Sequence, residues 1–335
     1  MWSKCAVIVF GVAISLGAGC RGVVEAPLGP RHVRIATAAR DGGYYAFGEA
    51  LARVYNAGPL PMDASAVPTA GSAANMRALD EGTAEIAFAR ADVAYRAFRD
   101  GTRGRPQPHA RLRGIAILFE NVLHYVARAD RPSLSLAGLR GRRIGVVVPA
   151  PGRASARPGR GADTLAPIRY ADLVAAGGAF AVDEVQSVSL GLGDLAQALE
   201  SNEITAGFFM SGYPVPQLDD LASRLGVRLL EIDPRAAALI RDRYPFYKPT
   251  LVPAETYTGQ PHPVRTIAVE NLLVTREDLD EELVYVLTKA LFENLPRLAQ
   301  DHEAASQVDP DVAPATPIPL HPGAARYYRE RELLK

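Results

Sequence analysis

Residues 32–37 (HVRIAT) alternate between apolar and polar side chains, the period of a strand with one buried face. The turn Arg40-Asp41-Gly42-Gly43 follows, and beyond it Phe47, Leu51 and Val54 recur at helical spacing. Residues 65–69 form a short strand candidate. Ser72 stands where an N-cap belongs, ahead of AANMRALDEG, with Met76 and Leu79 turned inward and Gly82 stopping the helix. EIAFA at 85–89 reads as a buried strand. Asp92 is placed to cap the helix VAYRAFRD, which Gly101 ends. This alternation of strand and helix predicts an α/β fold on a mostly parallel sheet.

Residues 102–112 form a basic, proline-bearing loop, and GIAILFENVLHYVARAD then gives two strand candidates around Glu120-Asn121. SLAGLRGRRIGVVVPAPGR supplies a short helix, a strand and a Gly/Pro loop. Residues 150–163, rich in Arg, Gly, Pro and Ala, read as a loop or insertion. DLAQALE at 194–200 is helical and ITAGFFM is a buried strand. Residues 245–263, dense in Pro and Tyr, read as irregular. TIAVENLLVT is another extended pair, and EELVYVLTKALFENLPRL is a strongly amphipathic helix. No internal repeat is visible.

The first twenty residues read as an address. Lys4 is followed by an apolar run from Cys5 to Leu16, shorter than the roughly 20 residues that span a bilayer. The run fits the apolar region of a secretory signal. Leu-Gly-Ala-Gly-Cys, ending at Cys20, resembles a lipobox, in which the chain is cut before a cysteine that is then lipidated. Gly17 stands where that pattern usually has Leu. A lipoprotein signal, a plain cleaved signal and an uncleaved anchor all remain open on these residues. Under the first, residues 1–19 are the signal and 20–30 a tether, and lipidation removes the one thiol left in an oxidising compartment.

Composition narrows the classes further. The 335 residues suggest about two domains, and 48% hydrophobic residues exclude wholesale disorder. Lys+Arg and Asp+Glu are 37 each, so the basic excess expected of a nucleic-acid coat is missing. Two cysteines cannot build a disulfide framework or an all-thiolate zinc cluster. No Walker loop, nucleophile elbow or H-E-x-x-H is present, and Gly191-Leu192-Gly193 alone is weak evidence for a dinucleotide. The six histidines are scattered, which disfavours a metal site. Asp219-Asp220 and Glu281-Glu282 read as solvated charge. An exported chain without a catalytic set is expected to bind rather than to catalyse, and no cofactor is expected.

Several segments resemble, in order, the TAXI family: the extracytoplasmic solute receptors of TRAP (tripartite ATP-independent periplasmic) transporters. Ala36-Thr37-Ala38-Ala39-Arg40-Asp41-Gly42-Gly43-Tyr44-Tyr45-Ala46-Phe47-Gly48 is similar to T-G-G-x-x-G-x-Y-Y-P-x-G. Ser72 to Asn75, then Glu85 to Tyr95, are similar to S-x-x-N and D-L-A-x-x-Q-x-D-V-A-Y. Leu123 to Arg128, Ala206 to Pro216, Tyr244-Pro245-Phe246-Tyr247, Tyr257-Thr258-Gly259-Gln260 and Leu320 to Tyr328 continue the match. The resemblance spans about residues 32–330. It implies a two-lobed periplasmic-binding-protein-like (type II) fold with hinge strands, lobe I at 31–126 plus 268–335 and lobe II at 127–267. Crossings are expected near Leu123–Arg128 and Thr266–Thr275. It further implies capture of a small anionic or zwitterionic solute such as glutamate or 2-oxoglutarate by hinge closure, handed to a membrane permease driven by ion gradients.

The sequence also departs from the family. Its glycine pair is Ala38-Ala39, its glutamine before D-V-A-Y is Arg90, and A-P-G-S-G-T is Ala150 to Ser155, with Arg153 in place of a neutral residue. Inward-facing arginines would favour dianions; the other reading turns each of them to solvent. The candidate ligand contacts are Thr37, Arg40, Tyr44, Ser72, Asn75, Arg90, Asp92, Arg153, Ser155, Gly212 and Tyr213. Packing is the alternative for Tyr44, capping for Ser72 and Asp92, and turn geometry for Gly212 and Tyr213. A permease-independent sensing lipoprotein and an exported enzyme are the rival functions.

Overall fold

The computed structural model describes residues 31–40, 42–102, 105–132, 134–147 and 170–334. The signal, the tether with Cys20, and the 150–163 loop with Arg153 and Ser155 lie outside them. The first half runs β1 (Arg31–Ala36), α1 (Gly43–Asn56), β2 (Met62–Val67), α2 (Ser72–Asp80), β3 (Ile86–Arg90) and α3 (Ala91–Asp100). The long strand β4 (Leu112–Arg128) leads to β5 (Arg143–Val147), α4 (Tyr170–Gly178), β6 (Gln186–Leu190), α5 (Leu192–Glu200) and β7 (Ala206–Ser211). Then come α6 (Pro216–Leu225), β8 (Val227–Leu229), α7 (Pro234–Arg243), β9 (Lys248–Val252) and a second long strand, β10 (Val264–Arg276). The chain closes with α8 (Glu281–Glu293), α9 (Leu295–Asp301) and α10 (Pro322–Glu330).

The strands are ordered β2-β1-β3-β10-β4-β7-β5-β6, with β8 beside β4 and β9 beside β10. β1 to β3 are parallel, and so are β5 to β7. Between these groups lie β4 and β10, antiparallel to each other and to their other neighbours. β4 leaves β10 and joins β7 at Val122, just ahead of the expected Leu123–Arg128. β10 passes from β9 to β3 between Ala268 and Asn271, inside the expected Thr266–Thr275.

Both polar interruptions prove continuous: Glu120-Asn121 and Glu270-Asn271 sit inside single strands rather than between pairs. Glu120 lies directly opposite Glu270, and the Lys248 ammonium bridges them at 2.8 and 2.9 Å. Asn271 is buried and donates to the Phe119 carbonyl at 3.0 Å. Partners distant in sequence therefore satisfy the polar groups without breaking either strand.

The expected inner face of α1, with Phe47, Leu51 and Val54, packs on the sheet. α1 approaches β1 so closely that a Cβ on Gly48 would stand 2.5 Å from the Thr37 methyl. Two caps differ from expectation. Gly71, at φ 97°, takes the N-cap of α2, a left-handed conformation that an L side chain resists, and Ser72 becomes the first helical residue. Arg90 occupies the N-cap of α3, and Asp92 sits within its first turn, where a carboxylate suits the helix dipole. Residues 245–263 are not wholly irregular, because β9 forms there by pairing with β10. The amphipathic stretch after Asp280 divides at Asn294, with Pro296 opening α9. Among the described residues no helix is long and apolar enough to cross a membrane.

Candidate functional site

Parallel strands β1 and β3 end side by side, and helices α1, α2 and α3 begin there. Such strand ends are where α/β sheets place ligands. Arg90 ends β3 and turns inward, with 15% of its side chain exposed against 1% for Asp92. Its Nε and Nη2 donate to the two oxygens of Asp92 at 3.0 and 2.6 Å, a bidentate, charge-assisted pair. The Arg90 backbone N–H donates to Ser72 Oγ at 3.1 Å, tying β3 to the first turn of α2.

The other half of the molecule meets this pair. Tyr247, immediately before β9, lies with its hydroxyl 3.2 Å from Arg90 Nη2 and 3.3 Å from Asp92 Oδ2. It can accept from the guanidinium and donate to the carboxylate at once. Tyr170 opens α4 within electrostatic reach of Arg90, and its hydroxyl accepts from the Met210 N–H at 2.9 Å. Tyr44 stacks on Phe88 at 5.2 Å and sends its hydroxyl to Asn271 on β10. Two halves and a crossing strand thus converge on one ion pair.

Burial dominates the electrostatics. It pushes the Tyr44 and Tyr247 hydroxyls up, so both stay neutral at any ordinary pH. Burial alone would lower Arg90, but the adjoining Asp92 charge outweighs it and holds the guanidinium well above its usual range. The cation is therefore permanent and already matched. An Arg90 free to read a second carboxylate is not what the structure contains.

The remaining expected contacts are arranged differently. Thr37 is buried, and its hydroxyl donates to the Val67 carbonyl at 2.8 Å. Asn75 donates to the carbonyls of Thr37 and Phe88, both at 2.7 Å, and accepts from the Thr69 hydroxyl at 2.6 Å. Both side chains are used to join β1, β2 and β3. Arg40 is exposed and donates to the Tyr45 hydroxyl at 2.6 Å. Gly212 lies against Phe119, and Tyr213 stands near Glu120 and Glu303. The structure therefore brings Tyr44, Ser72, Arg90 and Asp92 together. It adds three residues absent from the expected set: Tyr170, Tyr247 and Asn271. Only Tyr247 had a sequence signal, as the end of the Tyr244-Pro245-Phe246-Tyr247 motif. Among the described residues no group of His, Cys, Asp and Glu could hold a metal ion.

The model of the NMT1-like family matches residues 35–331. Among solved structures, a periplasmic transporter is similar over 90% of this chain and 93% of its own, with 12% identity and a TM-score of 0.53. The periplasmic aliphatic sulphonate binding protein SsuA of Escherichia coli matches over 91% and 94%, at 12% identity and a TM-score of 0.47. The ligand-binding component of an ABC-type import system of Staphylococcus aureus, with zinc bound, matches over 91% and 93%, at 11% identity and a TM-score of 0.46. The likeness to the first of these is of fold: a two-lobed, periplasmic-binding-protein-like α/β architecture with crossing strands.

Proposed function

Since the chain belongs to the NMT1-like family, we propose that it is an extracytoplasmic solute-binding receptor of an import system, working by closure and making or breaking no bond. One observation carries the reading: the Arg90–Asp92 pair of the first half is met by Tyr247 of the second, across the two crossing strands. A solute seated there touches both lobes, so its binding energy favours the closed form, and a membrane partner reads that form. In this reading lobe I is 31–126 plus 268–335 and lobe II is 127–267.

The finer assignment, to a TAXI receptor of a TRAP-type secondary importer held at the membrane by lipid on Cys20, rests on the ordered motifs and the lipobox-like sequence. The proposed solute is a small carboxylate. Asp92 already neutralises Arg90, so a zwitterion such as glutamate suits the site better than a dianion such as 2-oxoglutarate. Its carboxylate would meet Arg90, Ser72 and Tyr44, and its ammonium would meet Asp92. Tyr247 and Tyr170 would close from lobe II, with Arg153, Ser155, Gly212 and Tyr213 as further proposed contacts.

Calorimetric titration with amino acids, keto acids and phosphorylated anions, paired with small-angle scattering, tests this. The expected result is saturable binding of a zwitterionic carboxylate with contraction of the particle, and an added stability of ~2.7 kcal/mol at 100 times its Kd. Binding of no small solute, or binding undiminished in Asp92→Asn, overturns the assignment.

A further inference from the structure

Strands β9 and β3 lie end to end along one edge of β10. β9 pairs over Val264–Ala268 and β3 over Asn271–Thr275, while Ala268 also pairs with β4 on the opposite edge. Between β9 and β3, at Val269 and Glu270, no strand among the described residues pairs with that edge. The link across the gap is made by side chains of Phe246, Tyr247 and Lys248. The Phe246 ring meets Tyr95 of α3 at 5.1 Å. The Tyr247 hydroxyl reaches Arg90 and Asp92. The Lys248 ammonium reaches Glu120 and Glu270, one on each long strand. Three consecutive residues of the second half thus grip a helix, the ion pair and both crossing strands.

These contacts differ in how firmly they hold. The Tyr247 hydroxyl bonds, at 3.2 and 3.3 Å, are long, and Arg90 and Asp92 already satisfy each other at 2.6 and 3.0 Å. The hydroxyl alone therefore does not fix the ring. On one side of Tyr247 a turn is closed by its N–H, which donates to the Tyr244 carbonyl at 3.0 Å. On the other side β9 is five residues long, so few backbone bonds hold its start. Lys248, the first residue of β9, adds two charge-assisted bonds at 2.8 and 2.9 Å. Its acceptors need it in return. Glu120 and Glu270 stand directly opposite across the ladder, where like charges repel unless a cation lies between them.

The bridge thus ties the Lys248 side chain to both crossing strands. Consecutive Cα atoms are about 3.8 Å apart across a rigid peptide plane, so a shift at Lys248 is passed to Tyr247 with little slack. We propose that Lys248 is a positioning residue: its bridge to Glu120 and Glu270 holds Tyr247 against the Arg90–Asp92 pair, so that the joint between the halves sets how firmly the pair is covered. Its bearing on affinity rests on the solute site proposed above, whereas the hold on Tyr247 exists without any solute.

The test follows the Arg90 Nε–H of the ¹⁵N-labelled chain by NMR, without solute, reading its shift and its exchange with water. Lys248→Met is expected to move the signal and to speed exchange about tenfold, as Tyr247 loosens its cover. Adding Glu120→Gln relieves the repulsion and restores part of the stability, yet it supplies no link to Tyr247, so the fast exchange is expected to persist. Lys248→Arg keeps the cation and is expected to bring exchange back to about the original rate. An Arg90 signal unchanged in Lys248→Met, slow exchange regained with Glu120→Gln, or no rescue by Lys248→Arg overturns the proposal. If Lys248→Met does not fold, Glu120→Gln combined with Glu270→Gln removes both acceptors' charges instead; faster Arg90 exchange there supports the role and unaltered exchange overturns it. A chain that binds no solute would defeat the receptor reading and leave this result standing.

Discussion

Replacing Arg90 with methionine strips a buried carboxylate of its counter-charge. Asp92 is 1% exposed and keeps only the Tyr247 hydroxyl, at 3.3 Å, among its two observed partners. Breaking a buried pair from one side costs about 3–5 kcal/mol, because solvent cannot reach the charge left behind. The loss should depend on pH. In the variant the Asp92 carboxyl is expected to bind its proton more tightly folded than unfolded, where an aspartate sits at ~3.9. A raised acid pKa means that stability grows as pH falls, since the folded state then binds more protons. The Arg90→Met deficit should therefore be largest near neutrality and shrink as pH falls toward about 4. Asp92→Asn strands the guanidinium instead, which does not titrate in this range, so its deficit should stay level. Urea unfolding of both variants at several pH values measures the difference. A flat Arg90→Met deficit, or single-variant losses below about 1 kcal/mol, would refute the picture of a buried, mutually dependent pair.

Other substitutions probe the scaffold around that pair. Lys248→Met leaves Glu120 and Glu270 opposed across the strands and should cost about 1–2 kcal/mol, partly recovered by adding Glu120→Gln; a double variant no more stable than the single one contradicts the bridging role. Asn75→Ala removes hydrogen bonds to three strand or loop segments and should destabilise by about 2–4 kcal/mol in thermal or chemical unfolding. His124 is held down to about 3 by burial, with Nε2 2.7 Å from the Tyr257 hydroxyl. An unfolded histidine binds a proton below ~6.5 while the folded one does not, so stability should drop by up to about 1.4 kcal/mol per pH unit on acidification. Proton NMR that finds His124 titrating near 6.5 would contradict this. Tyr247→Phe keeps the ring and loses the bridge between halves; it should weaken solute binding several-fold while leaving the Arg90–Asp92 hydrogen bonds in place.

Much of the first half was legible because its periodicities are local. Phe47, Leu51 and Val54 mark the inner face of α1 by spacing alone, and the glycines at 82 and 101 mark helix ends. Caps were legible to within one or two residues. Ser72 and Asp92 carry capping side chains, but Gly71 reaches the left-handed backbone that the α2 start requires, and Arg90 keeps the extended conformation ahead of α3. The continuity of the two long strands was not legible, for a different reason. A Glu-Asn pair inside an apolar run looks like a break until its distant partners, Lys248 and Tyr44, are known. The same limit applies to the site. Arg90 and Asp92 are two residues apart, and their inward orientation follows from a strand-to-helix junction. Tyr247 lies more than 150 residues away, and no local pattern connects it to them.

β4 and β10 run side by side from Leu112 to Val122 and from Ala268 to Arg276, with two shifts of register along the way. A hydrogen-bonded ribbon of two strands resists stretching and sideways shear, yet it twists and flexes across its pleat at small cost. The slips fall between Glu270 and Leu272 and between Leu273 and Val274, and at each the regular ladder is locally disrupted. The closure proposed above would have to be taken up in this two-stranded ribbon, since it joins the two groups of parallel strands. The first slip holds Asn271, the partner of the Tyr44 hydroxyl, so a change in the ladder there reaches the candidate site directly.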